Sequence, residues 1–251
     1  MYRGKHISVI IPVLNEAKAI GLVIDELREL IQNDQPIVDD IVVCDNGSTD
    51  NSVPVAREKG ARVISEPEKG YGAACLAGIK QLKATDIVVF VDGDHSCVVS
   101  QLERLLGPIC ESNADLVVGS RVIGNVEPGA LTIPQRYGNQ LAVFLIQLFW
   151  QQRFTDLGPF RAISSRALAD IHMQDRAFGW TVEMQVKTIQ KGLRWMEVPV
   201  DSVRRIGQSK ISGTVRGTVL AGIGILSKIC TLRWQQMRQR CRAVHVKVDT
   251  R

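Results

Sequence analysis

Short, nearly all-apolar runs at residues 7–11, 40–44, 62–65, 87–91 and 115–119 alternate with helical patterns at 17–31, 52–59, 71–81 and 99–111. This alternation is the strongest constraint on the fold. A strand that is apolar on both faces must be covered on both, and a helix between successive strands returns the chain to the same end of the sheet. The expected class is α/β, with a mostly parallel central sheet flanked by helices. In the first helical stretch Ile20, Val23, Ile24, Leu27, Leu30 and Ile31 recur at helical spacing and give one buried stripe. After Arg121 the pattern changes. A Gly/Pro-rich loop at 124–134 leads to an apolar helix at 137–150, a loop and short strand at 155–161, helices at 166–171 and 181–191, and a strand at 193–203. From about residue 214 the chain reads as a basic helix with Val215, Val219, Ile223, Leu226 and Ile229 on one face. One domain over residues 1–213 and a basic amphipathic helix or tail over 214–251 are expected.

Open α/β sheets bind ligands at the carboxyl ends of their strands. The fourth run ends in Asp92-Gly93-Asp94. Two carboxylates around a glycine repel each other unless a cation or strong donor shares the site. A hard divalent ion, completed by water and a diphosphate, meets that need; an N-cap role for Asp94 is the alternative. The first run ends in Ile11-Pro12-Val13-Leu14-Asn15-Glu16. Pro12 has no amide hydrogen to continue a ladder, and Asn15 and Glu16 suit a helix start; a nucleoside against this strand end is the functional reading. The second run ends in Val43-Cys44-Asp45-Asn46-Gly47-Ser48-Thr49-Asp50. Ser48 or Asp50 suffices to cap the next helix, which leaves Asp45 to accept hydrogen bonds from a base N–H. Lys69-Gly70-Tyr71-Gly72-Ala73-Ala74 opens the third helix, where glycines let backbone amides approach an anion. Its spacing is neither that of a Walker loop nor Gly-x-Gly-x-x-Gly.

Charge sharpens the picture. The chain carries a net +5, yet residues 201–251 hold eleven Lys/Arg against two acids, so the remainder is net acidic. A basic terminal stretch favours an anionic partner such as lipid headgroups or phosphates; a solvated helix is the plain alternative. Trp234 and neighbouring glutamines do not amount to an RNA- or DNA-binding motif, so no nucleic acid is expected. The six cysteines lack Cys-x-x-Cys spacing and the histidines are scattered, which argues for buried thiols in a reducing compartment and against zinc. No apolar run is long enough to span a bilayer, and the first strand begins too early for a leader to precede it. A cytoplasmic protein is expected.

Together the three strand ends and Asp92-Gly93-Asp94 resemble the family-two glycosyltransferases of the GT-A fold, over roughly residues 7–215. The carriers are Pro-x-x-Asn-Glu, Asp-x-Gly-Ser-x-Asp, Lys-Gly-x-Gly-x-Ala and Asp-x-Asp, in that order. Within that family the chain looks most like the polyprenyl-phosphate (dolichyl-phosphate) glycosyltransferases. The pointers are Gly119-Ser120-Arg121, Asp156-Leu157-Gly158-Pro159-Phe160-Arg161, Phe178-Gly179-Trp180-Thr181-Val182-Glu183 and Arg204-Arg205-Ile206-Gly207-Gln208-Ser209-Lys210. The resemblance implies that Pro12, Leu14, Glu16 and Asp45 contact the nucleoside, with Lys69 and Gly70 also on the donor side. It implies that Asp92 and Asp94 hold Mg²⁺ or Mn²⁺ on the diphosphate. Arg121, Arg136, Arg204 and Lys210 would surround the diphosphate and the acceptor phosphate, and Glu183 stands where the family places an acceptor-side acid. The chain departs from its relatives at Ser96, where many carry Gln as a further metal ligand, at Gly158-Pro159-Phe160 in place of Ser-Gly-Phe, and in lacking a C-terminal span. The sequence 190–195 has one residue too many for the Gln-x-x-Arg-Trp of processive polysaccharide synthases.

The expected reaction is inverting transfer of a hexose from a nucleotide sugar, UDP-glucose ahead of GDP-mannose, to a polyprenyl phosphate. A phosphomonoester acceptor is already ionised at neutral pH, with a second pKa of about 6. It needs cations and no general base, and Arg121, Arg136, Arg204, Arg205 and Lys210 supply cations. A lipid acceptor implies work at the cytoplasmic face of a membrane, with the basic C-terminal helix as the contact. Three rival readings stand beside it: a family-two transferase acting on a soluble or saccharide hydroxyl, with Glu183 as base; a sugar-nucleotide pyrophosphorylase, disfavoured because no Gly-rich basic loop follows the first strand; and a non-catalytic nucleotide-sugar or membrane-surface module.

Overall fold

A computed structural model describes residues 1–207 and 215–248. Strand β1 (Ile7–Val13) leads through α1 (Ile20–Glu29) and a two-residue hairpin, β2 (Ile31–Gln32) and β3 (Gln35–Pro36), to β4 (Asp40–Asp45). Then come α2 (Ser52–Glu58), β5 (Arg62–Ser65), α3 (Tyr71–Lys80), β6 (Ile87–Phe90), a 3₁₀ turn (Val99–Gln101), α4 (Leu102–Cys110) and β7 (Leu116–Ser120). The later part holds α5 (Ile133–Trp150), β8 (Arg161–Ser164), α6 (Ser165–Ile171), α7 (Trp180–Gln190), β9 (Trp195–Pro199) and α8 (Val215–Val248).

The strands form one seven-stranded sheet in the order β5-β4-β1-β6-β8-β7-β9. All neighbours are parallel except β8, which runs antiparallel to both β6 and β7. The five strands read from the early apolar runs are all present, and β1, β4, β6 and β7 are buried nearly throughout, as burial on both faces requires. Two apolar clusters cover the sheet. One is built from α1 and α4 with Val9, Ile11, Val43 and Val89; the other from α3, α6 and α7 with Ile10, Val42, Val88 and Phe90. Alternate residues of a strand thus enter opposite cores.

Three boundaries differ from the sequence reading, each for a local reason. Helix α1 starts at Ile20 rather than 17, because residues 15–17 are held by the segment after β4. The amides of Asn15, Glu16 and Ala17 donate to Ser48 Oγ (2.9 Å), Ser52 Oγ (2.8 Å) and Asp50 Oδ2 (3.1 Å), and Asn15 takes a positive φ of 55°. Asn15 and Glu16 therefore do not cap α1, and Ser48 serves the neighbouring strand end. Helix α5 starts at Ile133, four residues early, where Thr132 and Gln135 form a capping box and Pro134 lies in the first turn. The third is at β9, which ends at Pro199 rather than continuing to 203; proline cannot donate to a ladder.

Helix α8 docks on α5 and α7, through a face that overlaps the expected stripe at Ile229 but not at Val219 or Ile223. Ile229 and Leu232 are buried and Ile225 packs beside them, whereas Val219 and Ile223 of the expected stripe are exposed. Lys228 fixes the helix by pairing with Asp175 at 2.9 Å. Cys44, Cys75 and Cys97 are buried thiols, as expected of small core residues. No helix among the described residues is long and apolar enough to cross a membrane.

Candidate active site

Two cavities meet at the carboxyl ends of β1 and β6. The first, of about 410 Å³, is lined by Pro12, Leu14 and Glu16 from the end of β1, by Lys69 and Gly70 before α3, and by Asp92 and Asp94 after β6. The second, of about 420 Å³, lies between the N-terminal turns of α5 and α8 and includes Ser96, Arg121, Leu157, Pro159 and Thr181. Tyr71, Asp92, Asp94, Phe178 and Arg205 line both. These five side chains form the junction.

The two aspartates behave as a strained like-charge pair. Burial, and then the neighbouring Asp94, push the Asp92 carboxyl up to about 7. It accepts from the Tyr71 hydroxyl at 3.1 Å. Asp94 accepts from the Ser96 amide at 3.0 Å and pairs with Arg205 Nη1 at 3.0 Å. The next helical turn begins at Val99, where Val98 makes no side-chain cap, so Asp94 is not a helix cap. Arg205 also reaches Glu16 at 2.6 Å through Nη2, while its Nε is buried without a partner among the described residues. One guanidinium thus ties the end of β1 to the aspartate pair. Among the described residues no three His, Cys, Asp or Glu cluster at metal-ligand distances. Two carboxylates at a cavity junction, one of them unsettled by its neighbour's charge, fit a hard cation whose remaining shell comes from water and a phosphate-bearing ligand.

Arg121 lines the second cavity and holds Asp156 bidentately, Nε to Oδ2 and Nη2 to Oδ1, both at 2.8 Å. Burial works against its charge, but Asp156 holds its pKa above the ordinary guanidinium value. Asp156, despite burial, is in turn kept below the usual carboxylate range by Arg121. Beneath them Arg161 is fully buried, donating to Gly158 O, Leu157 O and Thr181 O. Burial lowers its pKa to about 10. It pins the 157–160 loop that forms one wall of the second cavity.

The glycines of Lys69-Gly70-Tyr71-Gly72 serve a purpose that the sequence reading did not foresee. A Cβ on Gly72 would lie 2.1 Å from Asp175 O, and one on Gly70, whose φ is +147°, 2.0 Å from Arg176 O. The Gly72 and Ala73 amides donate to Ala177 O and Arg176 O, and the Gly70 amide to Asn46 Oδ1. The start of α3 is therefore engaged by the 175–177 segment rather than open to an anion. This close crossing delivers Phe178 to the junction, where it also rests against Gly224 of α8.

Other residues singled out from the sequence lie elsewhere. Asp45 does not line the first cavity; it is buried and accepts from the Gly47 and Ser48 amides at 3.3 and 3.1 Å. Glu183 is 1% exposed and lines neither cavity. It accepts from the amides of Gln174 and Asp175 at 2.9 and 2.7 Å and pairs with Lys187 at 3.1 Å. Arg204 turns outward, its Nε donating to Pro128 O at 2.6 Å. Arg136 is exposed on α5, outside both cavities. Lys210 lies outside the described residues. Of the expected cations, Arg121 and Arg205 line the second cavity and Arg204 and Arg136 do not; neighbours in an extended segment face opposite ways, which separates Arg204 from Arg205. Tyr71 and Phe178 were not expected at the junction.

A mostly parallel sheet with paired aspartates at the junction of two cavities defines the class: a glycosyltransferase of the GT-A fold. The chain belongs to glycosyl transferase family 2, whose family model matches residues 8–171. A dolichyl-phosphate hexose transferase of Haloferax volcanii is 30% identical, over 91% of this chain and 96% of that one. An undecaprenyl-phosphate mannosyltransferase of Micrococcus luteus is 27% identical, over 93% of this chain and 98% of its own. In structure, the fold matches glucosyl-3-phosphoglycerate synthase from Mycobacterium tuberculosis, solved with Mn²⁺, uridine diphosphate and glucosyl-3-phosphoglycerate. The TM-score is 0.74 at 22% identity, covering 91% of this chain and 80% of that one.

Proposed function

We propose that this enzyme transfers a hexose from a nucleotide sugar to a polyprenyl phosphate with inversion at the anomeric carbon. UDP-glucose is the favoured donor and GDP-mannose the next. The observation that carries the acceptor class is the lining of the second cavity. Among its described residues the only acids are the junction pair Asp92 and Asp94, and they stand with Arg121 and Arg205. A hydroxyl acceptor needs a carboxylate or equivalent base; a phosphomonoester needs cationic surroundings instead. The polyprenyl-phosphate acceptors of the Haloferax and Micrococcus relatives support the same class.

In this reading the nucleoside lies against Pro12, Leu14 and the Lys69–Gly70 turn, and the diphosphate points to the junction. Asp92 and Asp94 hold Mg²⁺ or Mn²⁺, which supplies charge stabilisation for the leaving diphosphate. Tyr71 orients Asp92 through its hydroxyl. Arg205 bridges Asp94 and Glu16, offsetting one of their two charges, and stands where two phosphate-bearing substrates converge. Arg121, held rigid by Asp156, offers fixed positive charge to the acceptor side, where preorganised cations lower the barrier most. The acceptor oxygen attacks the anomeric carbon in line, the glycosidic bond to the diphosphate breaks, and the nucleotide diphosphate leaves. The enzyme works as a peripheral protein at the cytoplasmic face of a membrane.

The test is incubation with UDP-glucose or GDP-mannose, a polyprenyl phosphate and Mn²⁺ or Mg²⁺, followed by separation of lipid products. A glycolipid that forms only with metal is expected. Product with 3-phosphoglycerate or a free sugar, and none with the lipid, would overturn the acceptor class.

A further inference from the structure

Helix α5 carries a row of large apolar side chains that no described part of the fold covers. Ile133, Tyr137, Leu141, Phe144 and Leu148 are 45–71% exposed. At 3.6 residues per turn they fall within an arc of about 80°, opposite the buried Ala142 and Ile146. Helix α8 packs beside α5 in parallel. Their N-terminal turns share the second cavity, and near the other end Trp150 Nε1 donates to Gln236 Oε1 at 2.8 Å. It carries its own exposed row, Val219, Ile223, Trp234 and Met237, on the side away from the buried Ile229 and Leu232. The two rows thus lie on the outer face of one two-helix layer. Contiguous apolar exposure on this scale marks an interaction surface.

Charge selects the occupant. The sequence has no acid between Glu127 and Asp156, and none between Asp201 and Asp249, while Arg136, Arg153, Arg233 and Arg238 fall in those segments; Lys228 is set apart, because it turns inward to Asp175. A second copy seated on this layer would oppose arginine to arginine with no carboxylate to answer it. An anionic bilayer answers every one of them. Aromatic side chains in the rows, Tyr137, Phe144 and Trp234 with Arg238 stacked 3.6 Å above it, suit the boundary between headgroups and acyl chains. Residues that line the second cavity, among them Pro134, Gly138, Ala221 and Gly222, interleave with the exposed ones along both helices.

We propose that the outer face of the α5–α8 layer is the surface by which the enzyme lies on an anionic lipid bilayer, with α5 as its apolar keel. Resting on the acceptor reading above, this lets a prenyl chain stay in lipid while its phosphate enters beside Arg121. The basic C-terminal helix contributes, but the apolar insertion belongs to α5.

The test uses the full chain and vesicles of phosphatidylcholine with about one-third phosphatidylglycerol. The double variant Phe144→Gln/Leu148→Gln changes exposed residues outside both cavities, and Leu22→Gln removes an exposed apolar residue on α1 as a control. Wild type and Leu22→Gln should co-sediment with the vesicles, and the double variant should bind about tenfold more weakly or worse with unchanged melting temperature. Undiminished vesicle binding by the double variant would overturn the proposal. So would a wild type that ignores vesicles but dimerises in a way the double variant abolishes. A short, water-soluble prenyl phosphate separates the two readings: the double variant should glycosylate it as fast as wild type. A wild type that glycosylates no prenyl phosphate would sink the acceptor reading alone, with vesicle binding still deciding the surface.

Discussion

The proposed donor and acceptor halves of the site are built in opposite ways. The donor half stands on the ends of neighbouring parallel strands, with Pro12, Leu14 and Glu16 at the end of β1 and Asp92 and Asp94 after β6. Each piece is a short contiguous motif, and the sheet register alone brings the pieces together. The acceptor half draws on residues 129–139, 157–159, 178–181, 202–205 and 218–225, segments far apart in sequence that meet only after helices pack. Motifs on the donor side therefore mark most of the cavity lining, with Asp45 as the exception, whereas on the acceptor side a motif marks the neighbourhood and leaves open which side chain enters it.

The largest effect should come from the junction. Asp92→Asn and Asp94→Asn should each lower kcat/KM by about 10² to 10³ or more, as loss of a preorganised electrostatic group does. Asp92→Asn should not lower the melting temperature, because it removes a buried charge that the fold holds against burial and against Asp94. A metal titration followed by calorimetry should show weakened binding in both variants. Normal metal affinity in Asp94→Asn would break the assignment of the donor half.

The next contrast lies within one dipeptide. Arg205→Gln should cost about 10² in kcat/KM, while Arg204→Gln should stay within roughly threefold, because Arg204 is a surface group whose neighbours are Glu127 and Pro128. Equal losses would mean that the segment turns over on substrate binding. A smaller effect is expected from Gly72→Ala. Its methyl would displace the Asp175–Ala177 crossing and with it Phe178. KM for the nucleotide sugar should rise severalfold while kcat holds, because the reacting groups stay in place.

How much of this was legible follows from the same contrast. Burial on both faces writes itself into a sequence as apolar runs, so β1, β4, β6 and β7 could be read directly, and the half-buried edge strand β5 followed from its place in the alternation. Strand direction leaves no such trace, and the antiparallel β8 was read only as a short strand at a loop. The β2–β3 hairpin was hidden because Leu30 and Ile31 continue the helical spacing of α1, although Ile31 ends 60% exposed. Asp45 illustrates a different limit: its strand end was legible, but its turn supplies two amides that its carboxylate accepts. Thr132 and Gln135 could have placed the start of α5 correctly, since the capping box is a local signal.

Glu183 gives the finest discrimination between the halves, because two readings of one residue predict different observables. As a general base it would govern kcat and impose an acidic limb on the pH profile. As placed, it is buried, lines neither cavity, accepts two backbone amides of the 174–175 turn and faces Lys187, with Lys228 4.0 Å away. It thereby joins α7, the turn leading to Phe178 and α8. Glu183→Gln keeps the shape but removes the charge from a buried, cation-flanked position, at a cost of about 2–4 kcal/mol, or roughly 5–10 °C in melting temperature for a chain of this size. The folded fraction should retain kcat within about threefold and an unchanged pH profile. Loss of kcat by about 10³ at an unaltered melting temperature would restore the carboxylate to the chemistry and reopen the case for a hydroxyl acceptor.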